Sequence, residues 1–261
     1  MTLYYADDLV TLYCGDALAV LRELDTGSVD AVITDPPYSS GGAFRGDRIQ
    51  DVHTKYVQTD SISGADLASF SGDTRDQRGY GYWCALWLGE CRRVTAPGGV
   101  VAVFTDWRQL PTTTDFLQAA GIVWRGIVPW HKPNGRPVQG RWANQCEYVV
   151  WGTNGPRSLD VLGPTAFAGF YQANPPRDRD HITQKPLEVM RSLVRIAPEG
   201  GIVLDPFAGA GTTGVAALME GRRFIGIELD EHHCATARRR ADGVQVTPRL
   251  RQGILPLGGV A

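Results

Sequence analysis

Two short segments carry residue types that could do chemistry together. Asp35-Pro36-Pro37-Tyr38 follows an apolar run, VDAVIT, at Val29–Thr34. Each proline fixes φ and lacks an N–H, so the pair stops a strand and leaves a stiff turn. That turn presents a carboxylate (Asp35), a backbone carbonyl (Pro36) and a flat aromatic ring (Tyr38). Two acceptors and a stacking face suit a planar exocyclic amine, which offers two N–H donors. The plainer alternative is a surface turn with a capping Asp and a core Tyr.

The second segment is Asp205-Pro-Phe-Ala-Gly-Ala-Gly-Thr-Thr-Gly214, placed after the run IVLD and before a helical pattern. Gly209, Gly211 and Gly214 fit G-x-G-x-x-G. Glycines allow a ligand close to the backbone, and the helix start offers unpaired N–H groups to a negative group. Glu228 closes the next apolar run, where a carboxylate suits the hydroxyls of a ribose. A nucleoside cofactor is the expectation, and a tight β–α turn without a ligand is the alternative. No Lys-Ser or Lys-Thr follows the glycines, which excludes a P-loop. A nicotinamide enzyme would build a second mononucleotide half after this unit, and about 45 residues remain after Gly214. The remaining strands must therefore lie earlier in the chain, in a permuted order.

The elements that must position these segments are readable from periodicity. Strands are expected at 9–14, 29–34, 100–105, 122–130, 147–151, 202–204 and 224–227. Helices are expected at 17–24, from about Trp83 to Val94, at 109–120, at 187–197 and from the glycine turn to about Glu220. The strands at 122–130 and 147–151 are expected to pair as an antiparallel hairpin. Strands separated by helices of this length imply a Rossmann-like α/β fold, with a mainly parallel twisted sheet covered on both faces. Such sheets bind ligands at the carboxyl ends of their strands. Residues 1–261 are expected to form one domain. It carries an insertion at 39–80, a second, short insertion at 133–180 and a tail at 243–261.

Composition narrows the class. The 261 residues are 43% apolar and 21% charged, with a net charge of −2, the balance of an ordinary globular protein. A chain-wide basic footprint for nucleic acid is excluded, although a local basic cleft is not. No apolar stretch reaches the roughly 18 residues of a membrane span. Met1–Asp8 holds two aspartates and no basic residue, unlike a signal peptide. The five cysteines are scattered, with no C-x-x-C pair, which reads as free thiols without a zinc cluster. The expected location is the cytoplasm.

Asp35-Pro-Pro-Tyr38 combined with Asp205-Pro-Phe-Ala-Gly-Ala-Gly211 resembles the amino-methylating DNA methyltransferases that use S-adenosylmethionine. Gly15-Asp16 ahead of the first motif and His181-Ile-Thr-Gln-Lys-Pro186 ahead of the second extend the likeness. The motif order is similar to that of the family's β group. The resemblance implies that Asp35, Pro36, Pro37 and Tyr38 bind the target amine of a base flipped out of double-stranded DNA. Asp in the first place tilts the target to adenine N6. Cytosine N4, or an RNA substrate, is the nearest alternative, and a nicotinamide oxidoreductase is the remote one. For the cofactor, the resemblance implies Asp205, Phe207, Ala208 and Gly209 near the methionine end. Gly211, Thr212 and Thr213 would lie at the helix start, with Thr183 and Lys185 at the carboxylate, Glu228 on the ribose and Asp16 near the adenine edge. Asp16 is equally suited to cap the helix at 17–24. No metal is implied.

DNA contacts are expected from the second insertion. Residues 131–186 hold seven Lys or Arg and four acids. Lys132, Arg136, Arg141, Arg177 and Arg179 are the candidates, because Arg suits both phosphates and guanine edges. Trp130 is the candidate second wall for the flipped base, or else a core residue of the hairpin. The stretch 39–80 has five basic and six acidic residues, so it reads as a base-flanking loop. A homodimer and a cognate restriction enzyme are partners the sequence leaves open.

Overall fold

The computed structural model describes residues 2–39, 75–135, 139–158, 166–176 and 184–245. Among these residues, nine strands form one sheet: β1 (Thr2–Ala6), β2 (Val10–Cys14), β3 (Val29–Thr34), β4 (Thr95–Thr105), β5 (Val123–His131), β6 (Cys146–Thr153), β7 (Tyr171–Gln172), β8 (Ile202–Asp205) and β9 (Arg223–Glu228). The helices are α1 (Ala17–Glu23), α2 (Gln77–Val94), α3 (Leu110–Ala119), α4 (Leu187–Val194), α5 (Thr212–Met219) and α6 (Glu231–Asp242).

The sheet order is β1-β2-β9-β8-β3-β4-β6-β5-β7. The run from β2 to β4 is parallel, while β1 and β6 pair antiparallel to their neighbours. The Rossmann-like α/β class and the permuted order expected from the sequence are therefore what the chain adopts. From β8 the chain crosses to β9 on one side, and from β3 it crosses to β4 on the other. β8 and β3 are adjacent, so the topological switch point lies between them, where such sheets open a crevice at their carboxyl ends.

Alternating residues of the central strands feed two cores. Ala31, Ile33, Ala102 and Phe104 pack on one face of the sheet. Val32, Val101 and Val103 pack on the other. This two-sided burial explains why VDAVIT and VVAVF read as continuous apolar runs instead of alternating ones. α2 buries Tyr80, Cys84, Trp87, Leu88, Cys91 and Val94, the spacing of one helix face. It starts at Gln77, earlier than Trp83, because Asp76 caps it by accepting from Gly79 N at 2.8 Å. β4 starts at Thr95, ahead of the strand expected at 100–105, so Pro97-Gly98-Gly99 lies inside it. Gly98 has φ +75°, and a Cβ on Gly99 would meet Asp30 O at 2.8 Å. Among the described residues, no helix is long and apolar enough to cross a membrane.

Candidate active site

The two motifs meet at the switch point. Asp35 follows the last residue of β3 and Asp205 is the last of β8. Thr34 Oγ1 donates to Asp205 Oδ1 at 2.6 Å, which ties one motif to the other. Asp205 is 2% exposed. It also accepts from Phe207 N at 3.0 Å and from Thr213 Oγ1 at 2.5 Å. Burial pushes its carboxyl up to about 6, against the three hydrogen bonds that lower it.

That shift has a direction that can be tested. A carboxyl raised in the folded state binds its proton more tightly there than in the unfolded chain. Folding stability from this group is full below about pH 4 and declines as pH rises to about 6. Two units correspond to about 3 kcal/mol. Asp205→Asn keeps the shape and cannot ionise, so its thermal midpoint is expected to lack this component of the decline between pH 4 and 6. An identical pH dependence in the two proteins would contradict the assignment.

The glycine turn is held mainly by protein contacts. Gly209 N donates to Glu228 Oε2 at 2.8 Å, and Asp230 N donates to Glu228 Oε1 at 3.0 Å. Ala208 N donates to Ile227 O at 2.9 Å. Gly211 sits at φ +77° as the N-cap of α5. A Cβ there would meet Ala237 Cβ at 2.8 Å and Ala237 Cα at 2.9 Å. The approach of α6 therefore requires a glycine at position 211. Thr212 and Thr213 open α5, as expected. Thr213 donates to Asp205, and Thr212 Oγ1 accepts from Arg240 at 3.1 Å, so both hydroxyls are engaged by the protein. Phe207 packs its ring on α2, with centroids 5.3 Å from Trp83 and 5.1 Å from Trp87. Asp16 is exposed and caps α1, accepting from Ala19 N at 2.9 Å. Gly15 N donates to Glu228 O, which keeps this turn beside the end of β9.

At the end of β3 the structure assembles a charged cluster. Tyr38 Oη donates to Asp35 Oδ1 at 2.5 Å and lies 3.2 Å from Glu147 Oε2. Lys185 Nζ donates to Asp35 Oδ2 at 2.5 Å and lies 3.3 Å from Glu147 Oε2. Lys132 Nζ donates to Glu147 Oε1 at 2.9 Å. Burial raises the Asp35 carboxyl, with Lys185 opposing that effect and Glu147 adding to it. Burial also pushes Glu147 up, but the Lys185 and Lys132 ammoniums outweigh it and hold this carboxyl below the usual range. Tyr38 is pushed far up by burial and by the two carboxylates.

Three of the expected site residues have protein partners here. Lys185, expected at a cofactor carboxylate, is only 6% exposed and pairs with Asp35. Lys132, expected on DNA, is committed to Glu147. Trp130, the candidate second wall, is 2% exposed, with Nε1 donating to Ala173 O at 2.9 Å. A large indole on a two-sided hairpin is retained by the core once its single donor is satisfied. Arg141 is exposed in the connection between β5 and β6. Arg136, Arg177, Arg179 and Thr183, with most of the 39–80 insertion, lie outside the described residues.

Glu147 was missed by sequence reasoning. It lies on β6, opposite Trp130 in the register with β5. The available signal was a lone charge in the otherwise uncharged strand CEYVVWGT, with Lys132 just past the end of the paired strand.

A Rossmann-like sheet brings the glycine turn, closed by an acid, and the Asp35-Pro-Pro-Tyr38 turn together at the switch point. A family model described as DNA methylase matches residues 29–169 and 168–239, and the chain belongs to this N6/N4 family. Among curated relatives, the type II methyltransferase M.HinfI of Haemophilus influenzae is 25% identical over 93% of this chain and 71% of its own length. Among solved structures, the complex of M1.HpyAVI with SAM superposes with a TM-score of 0.63 at 24% identity, covering 89% of this chain and 98% of that one. The cytosine-N4-specific PvuII DNA methyltransferase reaches a TM-score of 0.68 at 14% identity, covering 96% and 94%. These two likenesses establish the shared fold.

Proposed function

We propose that this N6/N4-family DNA methyltransferase transfers a methyl group from S-adenosylmethionine to adenine N6 of a base flipped from double-stranded DNA. The observation that carries the reading is the contact between the motifs: Thr34 bonded to Asp205 puts the amine-accepting turn and the glycine turn at one crevice. The choice of adenine rests on Asp, not Ser, in the first place of the Asp35-Pro-Pro-Tyr38 turn.

The residues present fit the cofactor. A carboxylate can accept about four hydrogen bonds, and three protein donors reach Asp205, which leaves capacity for the methionine ammonium. Two backbone N–H groups reach Glu228, which leaves capacity for ribose hydroxyls. When bound, S-adenosylmethionine supplies an electrophilic sulfonium methyl. Asp35 and the Pro36 carbonyl accept the two amine N–H groups, which favours a pyramidal nitrogen whose lone pair is available. Tyr38 stacks on the base and positions it. The methylated nitrogen is cationic and must shed a proton. Asp35, whose carboxyl burial raises, is the acceptor within reach. Arg141 is proposed to contact the DNA.

Calorimetry with S-adenosylhomocysteine and with NAD tests the cofactor half of this reading. Heat is expected with the former alone. Glu228→Gln removes a charged acceptor worth about 1.5–3 kcal/mol, so affinity should fall by roughly 10- to 100-fold. Binding of NAD, or unchanged affinity in the variant, would contradict it.

A further inference from the structure

The connection from β5 to β6 leaves the sheet at the edge that carries the site. β4 runs parallel to β3, and β6 and then β5 follow it as antiparallel neighbours. His131 therefore ends β5 at the same carboxyl edge as Asp35 and Asp205. The roots of the connection are fixed beside the charged cluster. Lys132 N donates to Gln145 O at 2.7 Å, and Gln145 Nε2 donates to Pro133 O at 3.2 Å. Glu147, two residues further on, lies against Tyr38. Trp142 stands five residues before Glu147, at most about 18 Å from it along an extended chain. Its indole is 94% exposed, and the next most exposed large apolar side chain among the described residues, Tyr82, reaches 70%. A single exposed apolar side chain is ordinary on a protein surface. This one is the largest of its kind, lies next to the exposed Arg141, and stands on a turn whose base is pinned to the site.

We propose that Trp142 inserts its indole into the duplex at the place that the target base vacates. The exposure decides where the ring acts. A wall of the base pocket is shaded by the crevice, as the half-buried Tyr38 is. Trp142 stands on the outer rim, where the body of the duplex rests when one of its bases enters the crevice. Flipping leaves the faces of the neighbouring bases without a partner, and a flat apolar ring restores their stacking. Arg141 suits a phosphate beside the inserted ring. The step is non-covalent. It rests on the base-flipping reading above and adds to it a residue that touches DNA outside the pocket.

The test compares Trp142→Ala and Trp142→Phe with wild type in methyl transfer to duplexes carrying the sequence that the protein methylates in genomic DNA. Trp142→Ala should lower kcat/KM for DNA by a factor of roughly 5 to 150, the range of one base–aromatic stack. Trp142→Phe, which keeps a flat ring, should recover most of the loss. The thermal midpoint and the affinity for S-adenosylhomocysteine should match wild type in both variants, because so exposed a side chain supports neither. A duplex in which the target base faces a mismatched partner supplies the discriminating readout. Flipping is easier there, so the loss in Trp142→Ala should shrink severalfold. A loss of equal size on paired and mismatched duplexes, or kcat/KM within twofold of wild type on the paired one, would overturn the inference. Sedimentation that changes from dimer to monomer in Trp142→Ala would overturn it too, by giving the ring to a second copy of this chain. A wild-type protein that methylates no duplex DNA would instead overturn the reading on which it rests.

Discussion

Asp35→Ala is expected to lower methyl transfer to DNA by about 10²–10³-fold, the usual cost of losing one preorganised partner of the transition state. S-adenosylhomocysteine affinity should stay near wild type. Asp35 makes none of the contacts that hold the glycine turn; those come from Glu228, Asp205 and Ile227. The fold should also survive, because Lys185 and Tyr38 both retain Glu147 as a partner. A rate within threefold of wild type, measured by transfer of labelled methyl groups, would remove Asp35 from the chemistry.

Gly211→Val should act on the fold before it acts on the ligand. The residue sits at φ +77°, a conformation that costs an L-residue about 1–2 kcal/mol and a β-branched one more. Its Cβ would press on Ala237 backbone at 2.9 Å, and overpacking of this kind costs about 1–3 kcal/mol. A total of about 2–5 kcal/mol is a large share of a domain's stability. The thermal midpoint should fall by several degrees or more, with cofactor affinity lost only as folded protein is lost. A variant with the wild-type midpoint but no affinity would return Gly211 to the ligand's path.

The difference between these two residues shows what could be read in the sequence. Asp35-Pro-Pro-Tyr38 and the glycine turn were legible because proline, glycine and strand-end chemistry act over a few residues. So was the α5 unit between β8 and β9, with the permuted order it implies. The alternation of elements gave the sheet because its central strands are apolar on both faces. β1 was not legible, since an exposed edge strand, TLYYA, buries too little to impose a pattern. β7, with two residues, carries no period at all.

Long-range partners were out of reach for a different reason. Lys185 and Asp35 are 150 residues apart, and Glu147 joins them only through the antiparallel register of β6 on β4. Spacing along the chain contains no trace of such a meeting. The same holds for Thr212 and Thr213, whose hydroxyls bond to Arg240 and Asp205. Residue type correctly put them at a helix start, but tertiary contacts decided their partners. Trp130, whose type suits both base stacking and a core, is buried in the hairpin.

The central claim is adenine-N6 methylation of DNA, and the most direct test is the modified base itself. The protein is expressed in a host whose DNA carries no methylation, and the genomic DNA is digested to nucleosides and resolved by mass spectrometry. N6-methyladenine should appear with the wild-type protein and vanish with Asp35→Ala. N4-methylcytosine in its place, or no methylated nucleoside at all, would contradict the account.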